Sequence, residues 1–598
     1  MVQLFGNITA VPRDVEAAFD SVNGLAARGH PRAQSLLSFM YSMGIGTNSS
    51  QSKALLYMTF AALGGDTFAQ MNLGYRHHVG MFVPKSCEIS LKYYRAVADK
   101  VHLEALDGSS EMIERVRLAD EKRRKRIKGQ AHVLQYYQLT AQQGGVESQV
   151  VMGQLFYHGG HGYAQDLPQA VRFFERAAGA GDAQAKTLLA EMHANGRGVP
   201  QNNATALKYY EEAAKKENPA ALSGLGVLYK LGQGVTKSEK KAFELFSKAA
   251  ALEDSEGQLR LAHQYFDGLG TKRDYRKAIH YYSLAAQQGH VLAMHSLGEI
   301  HATGTGTSRN CELAAGLFKN VAERGSWSKL FAQAYDAYEL DKVDAAALMY
   351  MFLGELGYEM AQNNAAYILD ETYEEDPIFG HNGSLGRALT GWKRSADQGY
   401  TAARLKIGDY HYYGHAVDED RGVAANEYRL AADNSNAQAM FNLGWMHEYG
   451  IGLPVDLHLA KRYYDQAAET SNDAKIPSAI ALTGLQTKLW LQANFGTGAA
   501  GVGAMMTDAI EAGENIQNMS FDEILSAYEN VFIGALVVVL AILLLARQLQ
   551  QQQAQRVREQ AIAQALAAET ARIAADAERL AQLTQDRAPV DEQEVGPL

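Results

Sequence analysis

At 598 residues the chain far exceeds what one compact core can organise, so it must be built from several units. A net charge of −11 with 21% charged residues gives a soluble, mildly acidic surface and argues against nucleic acid as a partner. The amino-terminal MVQLFGNITAVPRD has neither a basic n-region nor a long apolar h-region, so no signal peptide is read there.

The organising pattern is clearest between residues 190 and 306. Leu225-Gly226, Leu261-Ala262 and Leu297-Gly298 set a leucine and a tiny residue every 36 residues. In phase with them run glycine pairs (Gly232 and Gly234, Gly268 and Gly270, Gly304 and Gly306) and small pairs (Ala249-Ala250, Ala285-Ala286, Val321-Ala322). A fixed period of this length marks stacked supersecondary units. The first half of a unit, as in residues 221–230 (ALSGLGVLYK), carries apolar and small residues at helical spacing. Glycine inside a helix costs about 1 kcal/mol against alanine, so its recurrence predicts a second helix crossing too close for a larger side chain. The Gly-x-Gly that follows fits a helix stop and turn. Where a second helix should begin stand Ser50, Ser86, Asp166, Asn202, Ser238, Asp274, Asn310, Asp420 and Asp456, all good N-caps. Tyr209-Tyr210, Tyr281-Tyr282 and Tyr463-Tyr464 keep phase with the alanine pairs and read as core of that second helix. Each unit is a helix–turn–helix hairpin that must stack to bury its faces.

The Leu-Gly slot recurs at Ser38, Gly74, Gly153, Ala190, Gly226, Ala262, Gly298, Ala366, Gly408 and Gly444. Residues 1–100 form a first block of repeats. Residues 101–130 are an insertion holding the basic run 122–126 (KRRKR), read as a solvated loop. Residues 131–325 form a middle block. Residues 326–470 form a third, opening with a degenerate unit at 327–357 that lacks Gly-x-Gly. The expected fold is an all-α solenoid of about eleven repeats in three blocks. Residues 471–526 then read as an amphipathic helix (475–495) and a juxtamembrane linker. Residues 531–546 carry no polar side chain; extended back past Tyr528, the stretch 527–546 is read as one transmembrane helix. Acids without Lys or Arg precede it and Arg547, Arg556 and Arg558 follow, which puts the tail, 547–598, in the cytosol.

Gly496, Gly498 and Gly501 match G-x-G-x-x-G, but an amphipathic helix precedes them and no parallel-sheet pattern exists. The stretch is read as linker, and no cofactor is expected. Cys87 and Cys311 each follow an N-cap of a second helix, in units five steps apart. A disulfide needs Cα atoms within about 7 Å, so a regular stack predicts none between them. The eighteen histidines show no HExxH or other ligand-like spacing, and neither a nucleophile elbow nor a Walker loop occurs, so no metal or catalytic site is expected. Aromatics off the repeat consensus cluster late, at Trp392, Tyr412, Tyr413, Phe441, Trp445, Tyr449 and Trp490, and Trp and Tyr dominate interface hot spots. Glycosylation sequons at Asn7, Asn48, Asn203, Asn382 and Asn518 all precede the expected span, as a luminal domain requires. Asn48 and Asn203 are placed in inter-helix loops.

The 36-residue unit with Leu-Gly, Gly-x-Gly and Ala-Ala resembles the Sel-1-like repeat. Residues 48–66, 272–285, 408–414 (GDYHYYG) and 438–469 (QAMFNLGWMHEYGIGLPVDLHLAKRYYDQAAE) are similar to the luminal adaptors of the Hrd-type ubiquitin ligase of ER-associated degradation. The resemblance covers about residues 15–485. It implies a single-pass endoplasmic reticulum membrane glycoprotein with a luminal amino-terminal domain, compatible with a homodimer. It also implies a non-enzymatic adaptor that recruits misfolded glycoprotein clients and an ER lectin and stabilises a membrane RING ubiquitin ligase. The resemblance further implies that the last two repeats grip the ligase. The candidate ligase-binding residues are therefore Tyr412, Tyr413, Phe441, Trp445 and Tyr449, with Trp490 just beyond. A rival reading is a membrane-tethered repeat scaffold activating a different membrane enzyme, with no affinity for unfolded chains. An enzyme would instead need a buried cluster of converging acids or histidines.

Overall fold

The computed structural model describes residues 15–106, 116–119, 130–159, 163–325, 327, 329–372 and 381–495. Helix α1 (Val15–Ala27) leads into two hairpins, α2 (Pro31–Met43) with α3 (Gln51–Leu63) and α4 (Thr67–Val79) with α5 (Cys87–Leu106). Helix α6 (Gln130–Gln142) precedes five more: α7 (Val146–His158) with α8 (Leu167–Gly179), α9 (Ala183–Asn195) with α10 (Asn203–Ala214), α11 (Pro219–Leu231) with α12 (Glu239–Ala251), α13 (Ser255–Asp267) with α14 (Tyr275–Gln287), and α15 (Val291–Thr303) with α16 (Cys311–Ala322). Four follow: α17 (Lys329–Glu339) with α18 (Val343–Glu355), α19 (Glu359–Glu371) with α20 (His381–Asp397), α21 (Thr401–Tyr413) with α22 (Arg421–Asp433), and α23 (Ala437–Tyr449) with α24 (Leu457–Thr470). Helix α25 (Lys475–Phe495) ends the described chain. The eleven hairpins match the expected repeat number, and no β-strand occurs among the described residues.

The repeat chemistry acts as its spacing predicts. Ser50, Asp166, Asn202, Ser238, Asp274, Asn310, Asp420 and Asp456 each accept a first-turn backbone N–H of the second helix. The Ser86 hydroxyl accepts from the Ile89 N–H. Gly232 and Gly234 take φ of +73° and +72°, which end α11 and turn the chain toward α12. The glycine inside the first helix has the predicted packing cause. A Cβ on Gly226 would lie 2.6 Å from the Phe246 ring, one on Gly153 2.4 Å from Phe174, and one on Gly444 2.7 Å from Tyr464. Tyr210, Tyr282 and Tyr464 are buried, and the tyrosine before each is half-buried.

Repeats stack in sequence order from α7 to α16, but the amino-terminal hairpins do not lie ahead of α6. Helix α5 packs along α16 and touches α15. Cys87 opens α5 and Cys311 opens α16; their Cα atoms are 6.0 Å apart and the two are disulfide-bonded. This corrects the expectation of no disulfide, which equated distance in repeat number with distance in space. Residues 116–119 run against α19. Arg117 pairs with Glu359 at 2.5 Å, the Leu118 N–H donates to Asn364 Oδ1 at 3.1 Å, and Asn364 Nδ2 donates to the Val116 carbonyl at 2.8 Å.

The largest hydrophobic core therefore joins residues from 18 to 118 with residues from 294 to 410. Phe39 and Phe68 set their rings 5.1 and 5.3 Å from Phe352. The Arg76 guanidinium, fully buried, donates to Glu355 Oε2 at 2.9 Å, and Arg394 pairs with the other oxygen of the same carboxylate. Burial alone would push the Glu355 carboxyl up; the charges of Arg394 and Arg76 overcome that and hold it at about 2. A buried anion at the seam is thus matched by two cations.

Residues up to Gln486 form one compact unit. No helix among the described residues is long and apolar enough to cross a membrane. The expected span at 527–546, the glycine-rich linker from residue 496, the tail and the basic run at 122–126 lie outside the described residues.

Candidate partner-binding surface

Helices α21 and α23 are the first helices of the last two repeats. Asn436 caps α23 by accepting the Ala439 N–H, and Gly414 and Gly450 close the two helices in left-handed conformation. Tyr413 and Tyr449 are their last residues, each five after the glycine of the Leu-Gly slot. Earlier repeats place Val79, His158, Asn195, Leu231, Asp267 and Thr303 at this slot, so a tyrosine there distinguishes the last two. Tyr413 is 66% exposed, Tyr449 50% and Trp445 42%. The Trp445 and Tyr449 rings are 4.2 Å apart, one turn from each other on one helix face.

Beneath these rings two buried phenols are hydrogen-bonded to carboxylates. The Tyr428 ring fills the space over Gly408 and its hydroxyl donates to Asp409 Oδ1 at 2.8 Å. The Tyr464 hydroxyl donates to Glu448 Oε2 at 2.9 Å. Burial pushes both phenols and the Asp409 carboxyl up, so the phenols stay protonated and keep donating. Glu448 lies beside the exposed Tyr449 in sequence yet turns inward and is buried. Phe441 is half-buried, 5.2 Å from the Tyr464 ring, and Tyr412 is half-buried, 4.9 Å from the Tyr413 ring.

Of the six candidate residues, then, Tyr413, Trp445 and Tyr449 face solvent, while Tyr412 and Phe441 are half-buried. Trp490 belongs to α25 and its side chain lies outside the described residues. Trp392, grouped with them on sequence, is core at 3% exposure. The sequence reading missed Val455, Ile476 and Ile480, exposed by 62%, 74% and 67%. Val455 lies in the α23–α24 turn of the last repeat, whereas Ile476 and Ile480 belong to the apolar run of α25 after it, whose inward-packing face could not be assigned from spacing. Exposed aromatic side chains of this kind suit protein binding through anchor residues.

The sequons separate. Asn48 is exposed in the α2–α3 loop. Asn203 is not in a loop: it is the first residue of α10 and half-buried, and a Cβ on Gly234 of the next repeat would meet its backbone at 3.2 Å. Asn382 lies in α20 with its side chain outside the described residues, as Asn7 and Asn518 are altogether.

The eleven stacked hairpins of the described residues, with their small-residue crossings, define an all-α helical repeat solenoid. The Sel1 repeat model matches residues 31–66, 67–102, 146–182, 183–218, 219–254, 255–290, 291–326, 401–436 and 437–471, over half of the sequence. The chain belongs to the Sel1-repeat family. It is 51% identical over 435 residues to "Protein sel-1 homolog 2" of Mus musculus, covering 71% of this chain and 62% of that protein. The human protein of that name is 51% identical over 433 residues, with the same coverage. The "ERAD-associated E3 ubiquitin-protein ligase component HRD3A" of Arabidopsis thaliana is 46% identical over 429 residues, covering 70% of this chain and 63% of that protein. The chain thus spans less than two thirds of the length of these relatives.

Proposed function

We infer that the chain is a non-enzymatic luminal adaptor of an endoplasmic reticulum membrane ubiquitin ligase. In this reading it recruits misfolded glycoprotein clients and a lectin to the ligase and stabilises it for ER-associated degradation. It is anchored by one span at 527–546, with the tail cytosolic. The observation that carries the reading is the exposed Tyr413, Trp445 and Tyr449 on the last two repeats, the ones that the family resemblance implies grip the ligase. Kinship with a protein named as an ERAD-associated ligase component supports it. So does the Cys87–Cys311 disulfide, which uses both cysteines of the chain and suits an oxidising lumen.

The test is affinity capture of the detergent-solubilised full-length chain with identification of bound membrane proteins, set beside the Trp445→Ala/Tyr449→Ala variant. A multi-span RING ligase captured by the wild type and lost from a folded variant supports the reading. A different membrane enzyme in its place contradicts it and favours an activating scaffold.

A further inference from the structure

Helix α15 carries His295 and Glu299 four residues apart, hence on one face, and helix α5 carries Asp99 and His102 three apart, facing them. Two helices offering carboxylate and imidazole at these spacings toward each other is how helical bundles build metal centres. His295 Nε2 lies 2.8 Å from Asp99 Oδ1, and one ligand atom from each of Asp99, His295 and Glu299 lies within 4.8 Å of the others. We propose that Asp99, His295 and Glu299 form a zinc-class divalent metal site that ties α5 to α15 across the seam.

Ligand atoms around one such ion sit about 2.0–2.2 Å from it, so small side-chain rotations close the set. The His295 ring is held for the purpose. It is largely buried, stacks on the His102 ring at 4.2 Å and meets Phe318 edge-on at 5.5 Å. His102 adds a second observation: its Nδ1 is buried beside the cluster and has no hydrogen-bond partner. Asp99 is 54% exposed, which leaves one side open for entry and for water ligands. One imidazole with two carboxylates suits a borderline ion such as Zn²⁺ better than Ca²⁺ or Mg²⁺, which take oxygen donors. A built-in competitor is also present. Arg95 donates to Glu299 Oε2 at 2.7 Å from a half-exposed position, so it shields the carboxylate until an ion displaces it.

The experiment titrates the untagged full-length chain, freed of metal by chelator, with Co²⁺ read by visible absorption and with Zn²⁺ by calorimetry. One ion per chain is expected. Affinity should fall at least about tenfold in His295→Gln and in Glu299→Gln, and should rise in Arg95→Gln, a change no purely structural ion pair would produce. Zn²⁺ should also raise the melting temperature of Cys87→Ser/Cys311→Ser, where the metal would be the remaining covalent-strength tie between α5 and the α15–α16 hairpin. A wild-type chain that binds no Co²⁺, or a folded His295→Gln chain that binds it as well as wild type, overturns the proposal.

Discussion

A Cβ on Gly226 would fall 2.6 Å from the Phe246 ring, whereas one on Gly316, also inside a helix, would meet nothing within 4 Å. The same substitution should therefore have opposite signs at the two sites. Gly226→Ala forces the ring to move and should destabilise by about 1–3 kcal/mol, as overpacking does. Gly316→Ala gains helix propensity and should stabilise by up to about 1 kcal/mol. Chemical denaturation of the two variants checks the pair, and equal shifts would refute the packing account of the Leu-Gly slot. The sequons divide by the same local logic. Asn48 is exposed in a turn, while Asn203 is half-buried at a helix start. In a luminal protein, glycopeptide mapping should find Asn48 occupied and Asn203 bare.

At the level of elements, two buried groups set how helices respond to acid. On α13, burial, then the charges of Arg260 and Lys230, depress His263 to about 4. The unfolded chain takes that proton near 6.5, so stability is lost as pH falls from about 6.5 toward 4. On α18, Glu355 is held at about 2 by Arg394 and Arg76 against its burial. Its contribution is complete above about 4.3 and is lost as pH falls toward 2. Each pH unit inside a window should remove up to about 1.4 kcal/mol per group. Denaturation midpoints against pH should show His263→Gln flattening only the upper window. Glu355→Gln should cost about 3–5 kcal/mol at neutral pH, since it uncouples two buried guanidiniums. The hairpins themselves were legible in the sequence because caps, turns and glycine slots act within 36 residues. Trp392 was misgrouped because α20 packs between α19 and α21, and which of its faces turns inward is set by that tertiary packing and not by spacing alone.

Across the whole molecule, the side-on docking of the amino-terminal hairpins was not legible. Phase arithmetic assumes that neighbours in sequence are neighbours in space, and the seam joins Cys87 to Cys311 and Arg76 to Glu355 over 224 and 279 residues. The metal-type cluster was hidden for the same reason, since Asp99 and His295 are 196 residues apart. Closing so long a loop, the disulfide should contribute up to about 5 kcal/mol by chain entropy. Cys87→Ser/Cys311→Ser should then unfold at clearly lower denaturant, and an unchanged midpoint would mean that the bond holds nothing together. The adaptor account itself meets its sharpest test at the aromatic slot of the last repeat. A photo-cross-linking amino acid placed at Tyr449 and, as control, at the equivalent Val79 of an early repeat reports which surface touches the membrane partner in cells. The account predicts a cross-link from position 449, and not from 79, to a multi-span RING ubiquitin ligase. Cross-links from 79 alone, or from 449 to a different class of membrane enzyme, would contradict it.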